Sequence, residues 1–183
     1  WDVGQTLVPG GEPRFLGNST IEMVWDLANG QARSTWDRDK KYPFPRRDRF
    51  TEVVLPTLGY VIDDKGENRP MSGIRVATAL RELERISPLL MLQVMEAQRG
   101  VRPLANELLN KRAMLAIGYE HGNSNFIILL DPATKLPAAI RTREDDNVEG
   151  DSNFDVVFGD WKTVGGVKIA HTLSYQWNGV EIG

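Results

Sequence analysis

Alternating apolar and polar positions predict antiparallel strands over the first third of the chain. Along Phe15–Leu27 the odd positions are mostly apolar or small and the even positions mostly polar, which is the period of a half-buried strand. An Asn-Gly pair then suits a two-residue hairpin turn, and Gln31–Trp36 continues as a second strand. Two more strands, Arg47–Leu55 and Leu58–Ile62, extend this predicted meander.

The pattern then changes to the period of an amphipathic helix. Apolar side chains recur at every third position from Ile74 to Ile86 with charged residues between them, which predicts a helix that opens near Ser72 and buries one face. Farther along, Arg102–Asn110 carries three leucines and predicts a third, shorter helix.

Between these two segments a second helix is predicted from Ser87 to Gln98. Ser87 is its expected N-cap, Pro88 is its first helical residue, and Gly100 can end it. Its first two turns are apolar on almost every side, through Leu89, Leu90, Met91, Leu92, Val94 and Met95. We expect such a helix to be surrounded by other parts of the protein.

Strands return in the last third of the chain. The predicted strands are Ala113–Glu120, Asn125–Leu130, Ala138–Arg143, Asn153–Trp161 and Val167–Trp177. Sequential hairpins imply one antiparallel sheet, and a helix that is apolar on most sides is best buried if that sheet curls around it. The sequence therefore predicts an α+β fold in which a curled antiparallel sheet, an open or incomplete β-barrel, wraps two or three helices.

The length favours one domain. We expect an irregular segment at residues 1–14 and a single domain at residues 15–183 with a helical insert at about 72–110. The chain opens at Trp1 rather than at Met, and Tyr175–Gly183 indicates a strand, a turn and the start of another strand. We expect a domain cut from a longer polypeptide.

Composition narrows the classes of function. The 183 residues are 41% hydrophobic and 26% charged, which is typical of a globular domain. The formal net charge of -3 argues against a nucleic-acid partner, because no excess positive charge exists to bind phosphates. The apolar stretch Ile86–Val94 is far too short for a membrane span. Without cysteine, disulfides, thiolate nucleophiles and cysteine-bound metals are excluded.

Catalytic motifs are missing from the sequence. His121 and His171 lie fifty residues apart without metal-ligand spacing, so both are interpreted as structural. The acidic stretch Glu144–Asp151 misses the calcium-loop pattern, and the basic residues between Arg38 and Arg49 surround an aromatic-proline loop; both are predicted to be solvated. Nucleophile-elbow and phosphate-loop glycine motifs are absent. The chain alone is therefore a weak candidate for an enzyme, and no cofactor is predicted within it.

The apolar residues are the more informative set. If the curled sheet faces the second helix, its aromatic side chains either pack at normal interior density or leave a cleft for a lipid-like or aromatic ligand. Both outcomes stay open. The residues expected to line any cleft are Trp25, Trp36, Leu89, Leu92, Met95, Tyr175 and Trp177.

Three segments carry a family resemblance. They read LDPATKLPAAIRT at Leu130–Thr142, DDNVEGD at Asp145–Asp151 and FGDWKTVGGVKI at Phe158–Ile169. They resemble the β-rich domain that precedes the catalytic domain in a group of secreted bacterial metallo-β-lactamase-fold hydrolases. That domain is itself similar to the LolA/LolB lipoprotein carriers, in which an incomplete antiparallel barrel wraps helices and encloses a cavity for acyl chains.

The resemblance implies a fold and a periplasmic or secreted setting. The hydrolase zinc signature HxHxDH does not occur in this chain, so no metal ligand or catalytic role transfers to any residue. Zinc is expected only if a hydrolase domain follows. The carriers' N-terminal helix also has no counterpart, because residues 1–13 hold two prolines and three glycines.

Three functions follow from this interpretation. The first is a non-catalytic accessory domain of an exported hydrolase, which binds or presents an apolar substrate or braces the catalytic domain. The second is a stand-alone periplasmic lipid or lipoprotein carrier. The third is an oligomerisation module whose apolar face contacts a second subunit.

Overall fold

The structure, a computed structural model, describes residues 2–5, 8–26, 28–87, 89–97, 100–121, 124–146, 148 and 150–183. Most of these residues lie in antiparallel strands, and two short helices interrupt the strand order. Close contacts divide the chain into two compact units. Of the described residues, the first unit contains 2–5 and 14–87. The second unit contains residues 8–13 and the described residues after Ser87.

The first unit is a six-stranded antiparallel sheet with one helix. Its strands follow one another in chain order, each paired with the next. The elements are β1 (Asp2–Gln5), β2 (Arg14–Asp26), β3 (Gln31–Lys40), β4 (Arg46–Val54), β5 (Gly59–Asp63), β6 (Asn68–Pro70) and α1 (Gly73–Ile86).

The long hairpin predicted at the start of the chain is confirmed as β2 and β3. Gly17 and Ser19 are buried while Asn18 and Thr20 are exposed, so the alternation in the sequence corresponds to the two faces of the strand. The predicted strands at β4 and β5 are confirmed in the same antiparallel order. The segment expected to be irregular contains β1, which pairs with β2.

Helix α1 confirms the first predicted helix and its start. Ser72 is the N-cap, and its hydroxyl accepts a hydrogen bond from the Arg75 backbone N–H at 3.3 Å. The helix packs beside Gly59, where a Cβ atom would come within 2.8 Å of the Met71 sulfur and 3.3 Å of Val76. A side chain at position 59 would therefore have to move the Met71 side chain aside and would crowd the Val53 carbonyl at 3.1 Å, which favours a glycine inside this strand.

The second unit is a seven-stranded antiparallel sheet with α2. Here too the strands pair in chain order. The elements are α2 (Leu90–Glu96), β7 (Val101–Leu109), β8 (Arg112–His121), β9 (Ser124–Leu130), β10 (Pro137–Asp146), β11 (Gly150–Val164), β12 (Val167–Trp177) and β13 (Val180–Glu181). The predicted strands from residue 113 onward are confirmed.

The second sheet has two different faces. On the first, which we call the helix face, α2 packs through Leu90 and Val94 onto Tyr119, Phe126, Ile128 and Ile140. The opposite face, which we call the network face, carries a second core cluster of Leu109, Met114, Ala116, Leu129 and Ala139. Both faces are buried at the centre of the sheet, so strands β8 to β10 are apolar on both sides.

Two fold predictions are wrong. The strands form two hydrogen-bonded sheets rather than one, because the helical segment between β6 and β7 interrupts the succession of hairpins. The third helix, predicted at Arg102–Asn110, is strand β7. Pro103 disfavours a helical conformation in the residue before it, and pairing with β8 outweighs the helix propensity of the leucines. Neither sheet closes on itself among the described strands.

The second helix is shorter than predicted. It spans Leu90–Glu96, Leu89 occupies its N-cap position, and Ser87 is instead the C-cap of α1. Two residues that enter the prediction, Pro88 and Gln98, lie outside the described residues.

Candidate functional site

The predicted ligand-binding residues divide between the two units. Trp25 and Trp36 lie on one face of the first sheet, where both are half-buried. Trp36 stacks on Phe50 with ring centroids 5.9 Å apart, and the Arg38 guanidinium lies 4.2 Å from the centroid of the same indole. The indole of Trp36 is thus engaged by a ring and a cation, as in a filled aromatic cluster.

Tyr175 and Trp177 lie on β12 in the second unit and flank one phenylalanine. Phe154 has ring centroids 5.8 Å from Tyr175 and 4.8 Å from Trp177, the latter in an edge-to-face geometry. Tyr175 pairs with Val156 on the neighbouring strand, and Val156 pairs in turn with Ile140, which lies on the helix face. Because paired residues share a face of the sheet, this aromatic trio belongs to the helix face. The trio fills space beside the core rather than standing apart from it.

The other three predicted ligand-binding residues lie on α2 or at its N-cap, and their exposure differs from what was predicted. Leu89 is half-buried, whereas Leu92 is 52% exposed and Met95 is 78% exposed. The expectation of a helix surrounded on most sides is therefore wrong. Only the side with Leu90 and Val94, one turn apart, contacts the sheet.

Further exposed apolar residues lie on the hairpin of β11 and β12. Phe158 packs against the α2 cluster, and its partner across the strands, Leu173, is exposed. Toward the hairpin tip, register alternation puts further exposed apolar residues on the same face, where the exposed Asp160–Lys162 ion pair and His171 lie between them. We call this surface the apolar strip, formed by Leu92, Met95, Val164, Val167, Ile169 and Leu173.

The network face carries a buried ionic network that the sequence did not predict. Arg141 on β10 donates from Nε and Nη2 to the two carboxylate oxygens of Asp155 at 2.7 and 2.8 Å. It also donates from Nη1 to Glu107 at 2.5 Å and from Nη2 to the Leu108 carbonyl at 3.0 Å. Arg141 is 6% exposed and Asp155 is fully buried. Such a bidentate, hydrogen-bonded pair is the geometry that makes a buried charge tolerable.

Arg141 keeps its positive charge. Hydrogen bonding to Asp155 raises the pKa of Arg141 above its ordinary value, against the opposing effect of burial, and the charges of Asp155 and Glu107 add to the increase. A guanidinium with a raised pKa stays protonated at every pH at which the fold survives. The Arg141 guanidinium therefore has a structural role and does not supply a proton for acid-base chemistry.

This network also shows how the second sheet bends. Glu107 and Leu108 belong to β7, three strands away from β10 in the sheet. In a flat sheet that separation is about 14 Å, which is beyond the reach of an arginine side chain to a backbone carbonyl. Strand β7 must therefore curl over the network face. An irregularity in its pairing between Leu104 and Glu107 marks the bend.

The remaining charged candidates support no catalytic centre. His121 ends β8 with its Nδ1 3.1 Å from the Tyr119 hydroxyl, and His171 is exposed on β12. Most of the acidic stretch predicted as a loop lies at the ends of β10 and β11. Among the described residues, no group of three or more histidine, aspartate or glutamate residues has the geometry to hold a metal ion.

The basic residues between Arg38 and Arg49 belong mostly to β3 and β4 rather than to a loop. Arg47 and Arg49 bind Asp37 at 2.6 and 3.0 Å, and Lys40 binds Asp48 at 2.8 Å. The hydrogen bond from Arg47 is the main cause that lowers the pKa of Asp37 to about 2. These cations are neutralised by neighbouring carboxylates, which weakens any case for an anion-binding surface there.

Neither α1 nor α2 has the length and hydropathy that a membrane-spanning helix requires.

Sequence reasoning missed Glu107, Arg141 and Asp155. One signal was present: Asp155 interrupts the apolar run from Phe154 to Phe158, and a carboxylate in a buried strand requires a partner. Glu107 could not be found, because its segment was predicted to be helical.

Comparison with known proteins gives no relative. The chain matches no protein family, no curated protein and no solved structure. The resemblance to lipoprotein carriers and hydrolase-associated domains thus stays a prediction from the sequence.

Proposed function

We propose that the chain is a non-catalytic accessory domain of an exported metallo-β-lactamase-fold hydrolase, and that it binds an apolar, acyl-chain substrate at the apolar strip. The periplasmic or secreted setting is part of this proposal. The single observation that carries it is the exposure of six large apolar side chains along α2 and the β11–β12 hairpin.

The shape and chemistry of the strip favour an acyl chain. Leu92 and Met95 lie one turn apart on the outer side of α2, and the exposed residues of the hairpin continue along an extended arm. Apolar side chains spread over the length of a helix and a hairpin suit a linear hydrocarbon better than a compact aromatic ring. The flexible thioether of Met95 can adapt to chains of different length. Contiguous exposed apolar surface is in general a mark of an interaction site.

The test is oleate binding to the full chain, measured by native mass spectrometry and by displacement of a fluorescent fatty acid. Each buried leucine or methionine contributes about 1.5–3 kcal/mol, so Leu92→Gln with Met95→Gln is expected to weaken binding at least about tenfold. Ile74→Gln is the matched control, because Ile74 is an equally exposed apolar residue on α1. Binding that is absent, or that is equal in the double variant and the wild type, would overturn the proposal.

Two readouts separate the other functions. Sedimentation velocity tests the oligomerisation module: a concentration-dependent dimer that is lost in the Leu92→Gln, Met95→Gln variant would assign the strip to a subunit interface. The coding sequence beyond Gly183 separates the accessory domain from a stand-alone carrier. A downstream HxHxDH motif favours the accessory domain, and the zinc would belong to that downstream domain.

A further inference from the structure

A second candidate binding site lies on the network face, away from the apolar strip. It is a cleft of about 1010 Å³ bordered by the curled strand β7 on one side, by the β12–β13 turn on the other and by the ionic network at its floor. This volume is at the upper end of the range of about 300–1,000 Å³ for small-molecule sites. Its polar lining includes Asn106, Glu107, Lys111, Arg141, Asn153 and Asn178.

The cleft is held in shape before any ligand arrives. Arg141 fixes the wall at Glu107 and Leu108 to the floor at Asp155. The pairing irregularity in β7 leaves Ala105 and Asn106 without cross-strand partners, and both line the cleft. On the opposite wall, the Asn178 side chain accepts a hydrogen bond from the Asn153 backbone N–H at 2.9 Å. A rigid wall-floor-wall arrangement lowers the entropic cost of binding.

Two buried side-chain oxygen atoms without a hydrogen-bond partner among the described residues lie in or next to this cleft. The Asn153 Oδ1 atom is buried and has no hydrogen-bond partner among the described residues. Gln176 is 5% exposed, its Oε1 has no partner in the same part of the chain, and it pairs across the strands with Asp155 in the cleft floor. Glu107 uses Oε2 for Arg141, which leaves Oε1 as an acceptor. A buried polar atom without a partner is costly, and a ligand group can satisfy it.

The charges of the lining cancel. Arg141 is paired with Asp155, while Glu107 on one wall and the exposed Lys111 at the rim carry opposite charges. No net charge is therefore left to select an anion or a cation. Amide side chains offer both a donor and an acceptor, which matches the alternating needs of neighbouring hydroxyl groups, and Asn106 and Asn153 present such groups to the cleft. The Asn178 amide is already used, since it accepts from the Asn153 backbone N–H and donates to the Ser152 hydroxyl at 3.2 Å. Leu104 and Leu108 add apolar contact for the C–H groups of such a ligand.

We propose that this cleft binds a neutral, polyhydroxylated small molecule of mono- to disaccharide size. The Asn106 and Asn153 amides and Glu107 would bind its hydroxyl groups, and Arg141 and Asn178 would position the walls. The proposal does not depend on the apolar strip, which lies on the opposite face of the same sheet.

The test is a titration of the full chain followed by amide NMR, with glucose, galactose, mannose, N-acetylglucosamine and their common disaccharides as probes. At least one probe is expected to give saturable shifts in the asparagine side-chain amides of the cleft at up to tens of millimolar. Asn153→Ala is expected to weaken that binding about tenfold, the loss of roughly one good hydrogen bond. Asn106→Ala, an exposed bulge residue, provides a second variant if Asn153→Ala does not fold.

Asn18→Ala, an exposed asparagine on β2 in the first unit, is the matched control and should bind like the wild type. Three results would overturn the proposal: no saturable shift with any probe, equal binding by both cleft variants and the wild type, or displacement of the probe by equimolar phosphate or ammonium. The last result would show that the cleft selects charge.

Discussion

Four hydrogen bonds converge on the guanidinium of Arg141, and they connect strands that lie far apart in the sheet. The carboxylate of Asp155 alone receives two of them. Removing one partner of a buried pair leaves a poorly compensated charge, which costs far more than the pair itself contributes. Without Asp155, only Glu107 would remain as a counter-charge for Arg141. The stability of the second unit should therefore depend strongly on this contact.

We expect Asp155→Asn to lower the free energy of unfolding by about 3 kcal/mol, because the guanidinium loses its main counter-charge in a dry environment. Urea denaturation followed by circular dichroism measures the change. Asp160→Asn is the control, since Asp160 forms an exposed pair with Lys162 at 2.7 Å and should change stability by less than about 1 kcal/mol. Equal effects of the two substitutions would show that the network is not a structural anchor.

Part of this network was within reach of the sequence. An aspartate between phenylalanine and valine in a strand signals a buried carboxylate, and Arg141 is an arginine at a core position of β10. Their pairing was not predictable, because it depends on the register between β10 and β11. The contact between Glu107 and Arg141 depends in addition on the bend of β7, and no local sequence pattern predicts that bend.

Helix α2 shows how one apolar helix divides into two sides. Leu90 is fully buried against the sheet, whereas Leu92, two residues later, is about half exposed. Two residues separate positions by about 200° around a helix, so the same residue type occupies opposite environments. Hydrophobicity alone therefore does not report which leucine contributes to stability.

Truncation to alanine should separate the two leucines. Leu90→Ala is expected to cost about 3 kcal/mol of unfolding free energy through lost burial and a residual cavity. Leu92→Ala is expected to change stability by no more than about 0.5 kcal/mol. Both are measured by urea denaturation, and a large cost at Leu92 would mean that the outer side of α2 is covered in solution.

The charged rows of β3 and β4 should give the first unit a dependence on acid. Asp37 has its pKa lowered in the folded state to about 2 from the value of 3.8 expected without partners. A lowered folded-state pKa stabilises the fold above the unfolded value, and the contribution is lost as the pH falls through the folded value.

We therefore expect the destabilisation caused by Asp37→Asn to be largest above about pH 4 and to shrink toward about pH 2. Because the group is exposed, added salt should reduce the difference as well. Urea denaturation across this pH range measures it, with Asp64→Asn in the exposed β5–β6 turn as the control. A difference that stays constant with pH would rule out the Arg47–Asp37 pair as its source.

The alternation of apolar and polar residues predicted the long β-hairpins correctly. The hairpins of β2 with β3 and of β11 with β12 were predicted because one alternating pattern and one turn specify each of them. Helix-like leucine spacing misled at β7, where strand pairing decided the outcome. The exposure of Leu92 and Met95 was not predictable either, because it depends on how much surface the sheet offers to α2.

Taken as one chain, the order of strands, helices and strands was predicted, but their grouping was not. Hairpins define which strands are neighbours, and they carry no information about where one sheet stops and another begins. The seven predicted ligand-binding residues consequently fall in two units, with Trp25 and Trp36 in the first. Sequence patterns locate the apolar residues well, and three-dimensional pairing determines which of them share a surface.

The four outermost strands of the two sheets share a property that bears on aggregation. β1, β6 and β13 contain four, three and two residues, and β6 ends in a proline. β7 is longer, but Pro103 lacks an amide N–H and the bulge breaks its hydrogen-bonding register. These four strands therefore offer a strand from another copy only short or interrupted edges. The exception is β12, because β13 covers it only at Gln176 and Trp177. Among the described strands, the outer edge of Val167–Ser174 is thus the place where a ladder can extend and where fibril growth would start.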